Sequence, residues 1–175
     1  MKKLLVATNP QKIIDFLIQN PGKEYLSREI QRATGISKAG TNFALRDLAK
    51  TGLVEREKRG NVLLYSVDFR NPVIKQLKVL KTVSSLSSLI KKLQEETKKI
   101  ILYGSSSRGE DVKDSDIDLF VVTNSPQSVE RIVSGKNIQL TIRTPLKYVE
   151  MEKKEPIFYK ETEQGIVLWE STDES

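Results

Sequence analysis

The stretch Ile100-Ile101-Leu102-Tyr103-Gly104-Ser105-Ser106-Ser107-Arg108-Gly109-Glu110-Asp111-Val112-Lys113-Asp114-Ser115-Asp116-Ile117-Asp118-Leu119-Phe120-Val121-Val122 decides how the chain is read. Its first four residues are apolar and read as a buried strand. Gly104-Ser105 follows directly as a turn without bulk, so backbone N–H groups and hydroxyls there can come close to a polyphosphate. A short helix beginning at Ser106 or Ser107 would aim its positive end at the same place. Gly109 and the polar residues to 115 read as a loop. Ile117, Leu119 and Val121 then alternate as on a second strand. Positions i and i+2 of a strand share a face, so Asp116 and Asp118 project together. Two adjacent carboxylates repel unless a cation stands between them, and a divalent ion with carboxylate and phosphate oxygens is the natural occupant.

Composition narrows the chemistry further. The 175 residues include no Cys and no His. That excludes disulfides, thiol nucleophiles, thiolate or imidazole metal ligands and His-based triads. A metal site must be built from oxygen, which favours Mg²⁺, Mn²⁺ or Ca²⁺ over Zn²⁺. With 38% hydrophobic and 30% charged residues the chain has a globular composition. No run approaches a membrane span, and the apolar part of Met1–Ala7 is too short for a signal peptide, so the expectation is a cytoplasmic protein without a membrane partner.

The net charge of +6 is unevenly placed: residues 1–99 sum to +11 and residues 100–175 to −5. A basic half joined to an acidic half predicts two modules with different partners.

The basic half opens with Thr8-Asn9-Pro10, a helix start, and Ile13, Ile14, Leu17 and Ile18 at helical spacing. Asn20-Pro21-Gly22 closes it. Ser27 reads as the cap of a second helix, which Thr34-Gly35 ends. Ser37 opens a third, with Phe43, Ala44, Leu45, Leu48 and Ala49 as its apolar stripe, ended by Thr51-Gly52. Leu53–Glu57 and Val62–Val67 read as strands joined by a turn at Lys58-Arg59-Gly60-Asn61. Three helices and a β-hairpin in about 60 residues is the winged helix-turn-helix layout. The words Ala49-Lys50-Thr51-Gly52-Leu53-Val54, and Arg56 before a basic turn, resemble the helix-to-wing junction of archaeal and bacterial winged-helix regulators. That resemblance covers roughly residues 9–69. It implies that the third helix enters the major groove of double-stranded DNA and that the wing touches backbone or minor groove. The residues placed on that interface are Lys38, Thr41, Asn42 and Arg46 of the helix and Lys58 and Arg59 of the wing. The basic ones would meet phosphates, and Asn42 or Arg46 base edges. A two-fold operator would ask for a homodimer.

After Asn71-Pro72, apolar residues from Val73 to Leu93 recur mostly every three positions, as in one long helix or two with a break at Thr82–Ser85. The division expected is a winged helix over 1–70, a helical linker over 71–84 and a second domain over 85–175.

In that second domain, Gly104-Ser105, Arg108-Gly109 and Asp116-x-Asp118 together resemble the signature of the DNA polymerase beta-like nucleotidyltransferase superfamily. The words Leu102-Tyr103-Gly104-Ser105 and Ser115-Asp116-Ile117-Asp118-Leu119 look most like its minimal nucleotidyltransferase group. The resemblance covers about residues 85–170. It implies a small mixed-sheet domain, so the whole chain is expected to be α/β (α+β). It also implies that Gly104 and Ser105 hold the phosphates of a nucleoside triphosphate, with Arg108 either steadying them or standing as an exposed helix residue. Asp116 and Asp118 would bind Mg²⁺ and be the catalytic carboxylates, with pyrophosphate leaving and a hydroxyl accepting.

The superfamily uses a third carboxylate, usually from a neighbouring strand. The matching strand here is Asn137–Arg143. Ile138, Leu140 and Ile142 face the core, and Gln139, Thr141 and Arg143 face the metal side without an acid among them. Glu150 and Glu152, on the helix after Thr144-Pro145, substitute only if that helix folds over the site. Three functions are therefore open. One is a nucleotidyltransferase carried by a DNA-binding domain. Another is a transcription regulator whose second domain binds nucleotide or protein without turnover. The last is an antitoxin-like chain with a toxin-type partner.

Overall fold

The computed structural model describes residues 8–20 and 22–172. The basic start at Met1–Ala7, Pro21 of the first turn and the last three residues of the polar tail lie outside them. The chain divides into two compact units, 1–81 and 82–175.

In the first unit, α1 (Asn9–Leu17), β1 (Tyr25–Leu26), α2 (Ser27–Thr34), α3 (Lys38–Lys50), β2 (Glu55–Arg59) and β3 (Val62–Ser66) follow in order. A reciprocal capping box starts α1: the Thr8 backbone N–H donates to Gln11 Oε1 at 2.9 Å, and the Gln11 N–H to Thr8 Oγ1. The Gly40 N–H donates to Ser37 Oγ at the start of α3, as that position predicts. Ser27 does not cap α2. The helix begins at Ser27 itself, Glu29 reaches back to the Leu26 N–H at 2.8 Å, and the Ser27 hydroxyl donates to Asn42 Oδ1 at 2.6 Å. The core joins Ile13, Leu17, Ile30, Leu45 and Ile74, all fully buried.

The hairpin differs from the sequence expectation in register. β2 starts two residues later and runs through Lys58 and Arg59, so Gly60-Asn61 alone makes the turn, with Arg59 paired to Val62. Gly60 takes φ +60°, which suits a two-residue hairpin turn. The two-residue strand β1, too short for a periodic signal, adds to β3 and completes a sheet ordered β1-β3-β2.

One unbroken helix, α4 (Pro72–Leu93), crosses the division between units, with no break at Thr82–Ser85. Ser85 and Ser87 hydroxyls donate to carbonyls three residues back, so these polar residues are absorbed within the helix.

The second unit holds β4 (Lys99–Tyr103), α5 (Gly104–Arg108), β5 (Ile117–Val122), α6 (Pro126–Val133), β6 (Ile138–Arg143), α7 (Pro145–Lys154), α8 (Pro156–Glu163) and β7 (Ile166–Glu170). Its sheet is mixed, ordered β6-β5-β4-β7, with β5 and β6 parallel and the other pairs antiparallel. Parallel neighbours require a crossover, which α6 supplies. The sequence reading passed over α6, though Ser125-Pro126 with Val129 and Val133 marks it. One sheet face packs Ile100, Leu102, Leu119 and Val121 against Leu86, Leu89 and Leu93 of α4 and Val129 of α6. The other packs Ile101, Tyr103, Phe120 and Val122 against Met151 of α7 and Phe158 of α8. The α+β class expected from the sequence is what the chain adopts.

Candidate functional site

The candidate site lies on the second sheet face, at the C-terminal end of β4 and the start of β5. Tyr103, Asp118 and Gln139 are cross-strand partners, so their side chains share that face. Gly104 follows Tyr103 and takes φ +68°, a region that residues with a side chain rarely adopt. A Cβ built on Gly104 would also run into the Asp118 carboxylate. Two separate demands thus fix glycine here, and the second draws the β4–α5 turn tight against the acid.

The helix α5 starts at Gly104, two or three residues earlier than expected, and Gly109 ends it at φ +68°. Ser107 Oγ donates to the Gly104 carbonyl at 2.8 Å, and the Glu110 N–H to the Ser105 carbonyl at 2.9 Å. Ser105 is half-buried and Ser106 buried, so Ser105 is the more open of the two beside the turn. Arg108 is exposed and pairs with Glu110 at 3.0 Å.

Asp116 stands one residue before β5 and is exposed, whereas Asp118 is half-buried on the strand. Burial raises the Asp118 carboxyl above the ordinary aspartate range. The charges of Asp116 and Glu161 add to that shift and Arg108 opposes it. Asp116, Glu161 and Arg108 therefore share an electrostatic neighbourhood with Asp118.

A divalent cation fits this donor set. Two carboxylates two residues apart, one of them made harder to ionise by burial and by its neighbours, gain most from a hard cation with oxygen ligands. Asp116 and Asp118 would hold it. Among the described residues no group of three or more acids stands close enough to hold a metal.

The position where a third acid is expected is filled by other chemistry. Ile138, Leu140 and Ile142 pack into the α4 side, and Gln139, Thr141 and Arg143 take the other, as their alternation requires. Thr141 Oγ1 lies 3.0 Å from the Tyr103 hydroxyl. Arg143 pairs with Glu155 at 3.1 Å and lies over the Phe158 ring. Glu150 is taken by Lys154 at 2.7 Å on its own helix. It lines a depression of about 470 Å³ with Pro126 and Arg143, at the far ends of β5 and β6 from Asp118. Glu161 escaped the sequence reading because it sits on α8, where no strand alternation points to it. Its signal was Phe158 three residues earlier: that ring meets Tyr103 edge-on at 5.7 Å, and i, i+3 places Glu161 on the same helix side. Gly165 then brings the chain against β4, where a Cβ would meet the Leu102 carbonyl.

The basic residues of the first unit fare unevenly. Lys38, Asn42 and Arg46 are exposed on α3 and Lys58 on β2. Thr41 is not on that surface. It is fully buried, because its spacing of three and four from Ala44 and Leu45 puts it in the core stripe. Phe43, expected in that stripe, is instead 66% exposed, since it lies two residues from Leu45 on the opposite helix side. Arg59 is exposed but committed: it makes paired bonds of 2.8 and 2.6 Å to Glu24 and of 2.6 and 2.8 Å to Glu57. Its guanidinium is held firmly charged by both acids, which leave little net charge for a phosphate.

Comparison with known proteins agrees with the second unit. Residues 83–167 match the family model for the nucleotidyltransferase domain. The fold defines a small α+β domain with a Gly-Ser turn facing a strand-borne Asp. That segment is therefore similar to nucleotidyltransferase domains. No curated protein sequence matches the chain. Among solved structures, TrmBL2, described as an archaeal chromatin protein with a novel mode of DNA binding, is 13% identical over 86% of this chain and 67% of its own, with a TM-score of 0.29. That likeness is too low to speak for a shared fold or function. Among the described residues, no helix is long and apolar enough to cross a membrane.

Proposed function

We propose that the protein is a Mg²⁺- or Mn²⁺-dependent nucleotidyltransferase carried by a DNA-binding winged helix. The observation that carries the reading is the packing of Gly104 onto Asp118, which sets a bare turn and a half-buried carboxylate against each other. A nucleoside triphosphate fits such a turn because Gly104 and Ser105 offer backbone N–H groups and a hydroxyl without side-chain bulk. Arg108 adds a positive charge that already acts on Asp118. A divalent ion held by Asp116 and Asp118 would supply charge neutralisation at the phosphates. In the transfer, an acceptor hydroxyl forms a bond to the α-phosphorus, and the α–β bridging bond breaks to release pyrophosphate. The acceptor proton passes to a carboxylate of the site or to water.

A second reading is favoured by Thr141. Its hydroxyl, bonded to Tyr103, stands on the strand face where the third acid is expected. On this reading the domain binds nucleotide with metal but turns over weakly, and the chain acts as a DNA-binding regulator or as the partner of a toxin-type protein. Incubation with a nucleoside triphosphate labelled at the α-phosphate, Mg²⁺ or Mn²⁺ and cell extract separates the two. Label on an acceptor, lost in Asp116→Ala/Asp118→Ala, supports transfer. Nucleotide binding without label transfer supports the regulator.

The DNA-binding part is supported by the helix order of the first unit, its hairpin and the charge of +11 over residues 1–99. On this reading α3 is the major-groove helix, with Lys38, Asn42 and Arg46 outward, and Lys58 is an exposed cation of the wing.

A further inference from the structure

The exposed side of α3 carries two parallel rows. Lys38, Asn42, Arg46 and Lys50 are spaced by four residues and all exposed, and form a polar, mostly basic row. Beside it, Ala39 and Phe43 form a short apolar row, also exposed, which the half-buried Asp47 ends. The helix does not need Phe43 for its packing, because Thr41, Ala44, Leu45 and Leu48 already make the buried stripe. A phenyl ring left 66% exposed beside this basic row would gain from a partner that is anionic at its edges and apolar at one point. Duplex DNA has that pattern in the major groove, where phosphates flank acceptor atoms and the 5-methyl group of thymine is the apolar projection.

We infer that Phe43 reads the 5-methyl group of thymine in the major groove of duplex DNA. This rests on the DNA-binding reading above and deepens it by naming a residue that sets sequence preference. Asn42 supports the assignment. Its Oδ1 accepts from the Ser27 hydroxyl at 2.6 Å, so α2 orients the side chain and its amide N–H groups remain as donors for acceptor atoms beside the methyl. The ring and the amide stand on adjacent residues of one turn and sample neighbouring base pairs.

The test selects bound sequences from random duplexes with the full chain, then remakes the enriched duplex with deoxyuridine in place of thymine, which removes only the methyl groups. Wild type is expected to bind the thymine form about fourfold more tightly for each methyl read, the value of one buried methyl group. Phe43→Ala should bind both forms equally with an unchanged salt slope, and Phe43→Leu should keep part of the preference. An unaltered melting curve shows that the exposed site tolerates both changes. Indifference of wild type to uracil, persistence of the preference in Phe43→Ala, or no enriched sequence would each overturn the inference while leaving non-specific DNA binding intact. If Phe43→Ala instead changes the sedimentation of the protein alone and leaves the thymine preference intact, the ring is a self-association contact and the inference falls. Absence of any duplex binding at low salt would remove the DNA reading itself.

Discussion

Gly104 and Asp118 meet across the β4–β5 pair so closely that a Cβ on one would occupy the space of the other's carboxylate. Glycine is also required by the backbone angle. Gly104→Ala should therefore cost about 1–3 kcal/mol of stability and displace Asp118. Thermal melting reads the first effect. Titration with Mn²⁺ and nucleotide reads the second, with binding weakened at least as much as in Asp118→Asn. An alanine variant with wild-type melting and binding would show that the contact is relaxed in solution.

Both carboxylates should contribute to metal affinity. Asp116→Asn and Asp118→Asn are each expected to weaken Mn²⁺ binding about tenfold or more, measured by electron paramagnetic resonance of free Mn²⁺. Glu150→Gln should leave that signal unchanged, because Glu150 is bound to Lys154 at the far end of the strands.

The DNA-binding reading of α3 and the β2–β3 hairpin makes a prediction about salt. Neutralising Lys38, Arg46 or Lys58 singly should each lower the slope of log binding constant against log salt by about 0.9 if each meets a phosphate. Arg59→Ala should lower it less, since Glu24 and Glu57 already occupy that guanidinium. An Arg59 effect as large as that of Lys58 would mean that the pairing opens on DNA.

Lys99, Tyr148 and Glu163 form a network at the end of β4 away from the site: Lys99 Nζ donates to the Tyr148 hydroxyl at 3.0 Å, and that hydroxyl to Glu163 at 2.6 Å. Burial lowers the Lys99 pKa, but the Tyr148 hydroxyl with Glu163 and Glu170 outweighs it and leaves Lys99 above its ordinary range. Burial, then the bond to Glu163, raises Tyr148. Both folded values lie above the unfolded ones, so their stabilisation is complete below about pH 10 and is lost as pH rises through the folded values. Tyr148→Phe should cost about 1–2 kcal/mol at neutral pH and flatten the alkaline loss of stability, followed by melting from pH 7 to 11.

Much of this molecule could be read from residue order. The apolar run Ile100–Tyr103, the Gly-Ser turn and the alternation through Val121 placed two strands and the site between them. Pro and Gly punctuation placed α1 to α3 and α7. What escaped had physical reasons. β1 is two residues long and exists because β3 offers it an edge. Residue type misled at Thr41 and Phe43, where helical angle decided burial against polarity. Arg59 and Ser27 are spent on Glu24 and Asn42, partners 35 and 15 residues away in the chain, which no local pattern discloses. Glu161 reaches the neighbourhood of Asp118 only through the packing of α8 on β4.

The most direct test of the central claim is transfer of label from an α-labelled nucleoside triphosphate to a hydroxyl acceptor in the presence of Mn²⁺. Wild type should transfer label and release pyrophosphate in equal amount, and Asp116→Ala/Asp118→Ala should do neither. Absence of transfer by wild type under conditions where it binds the nucleotide, or equal transfer by the double variant, would contradict it.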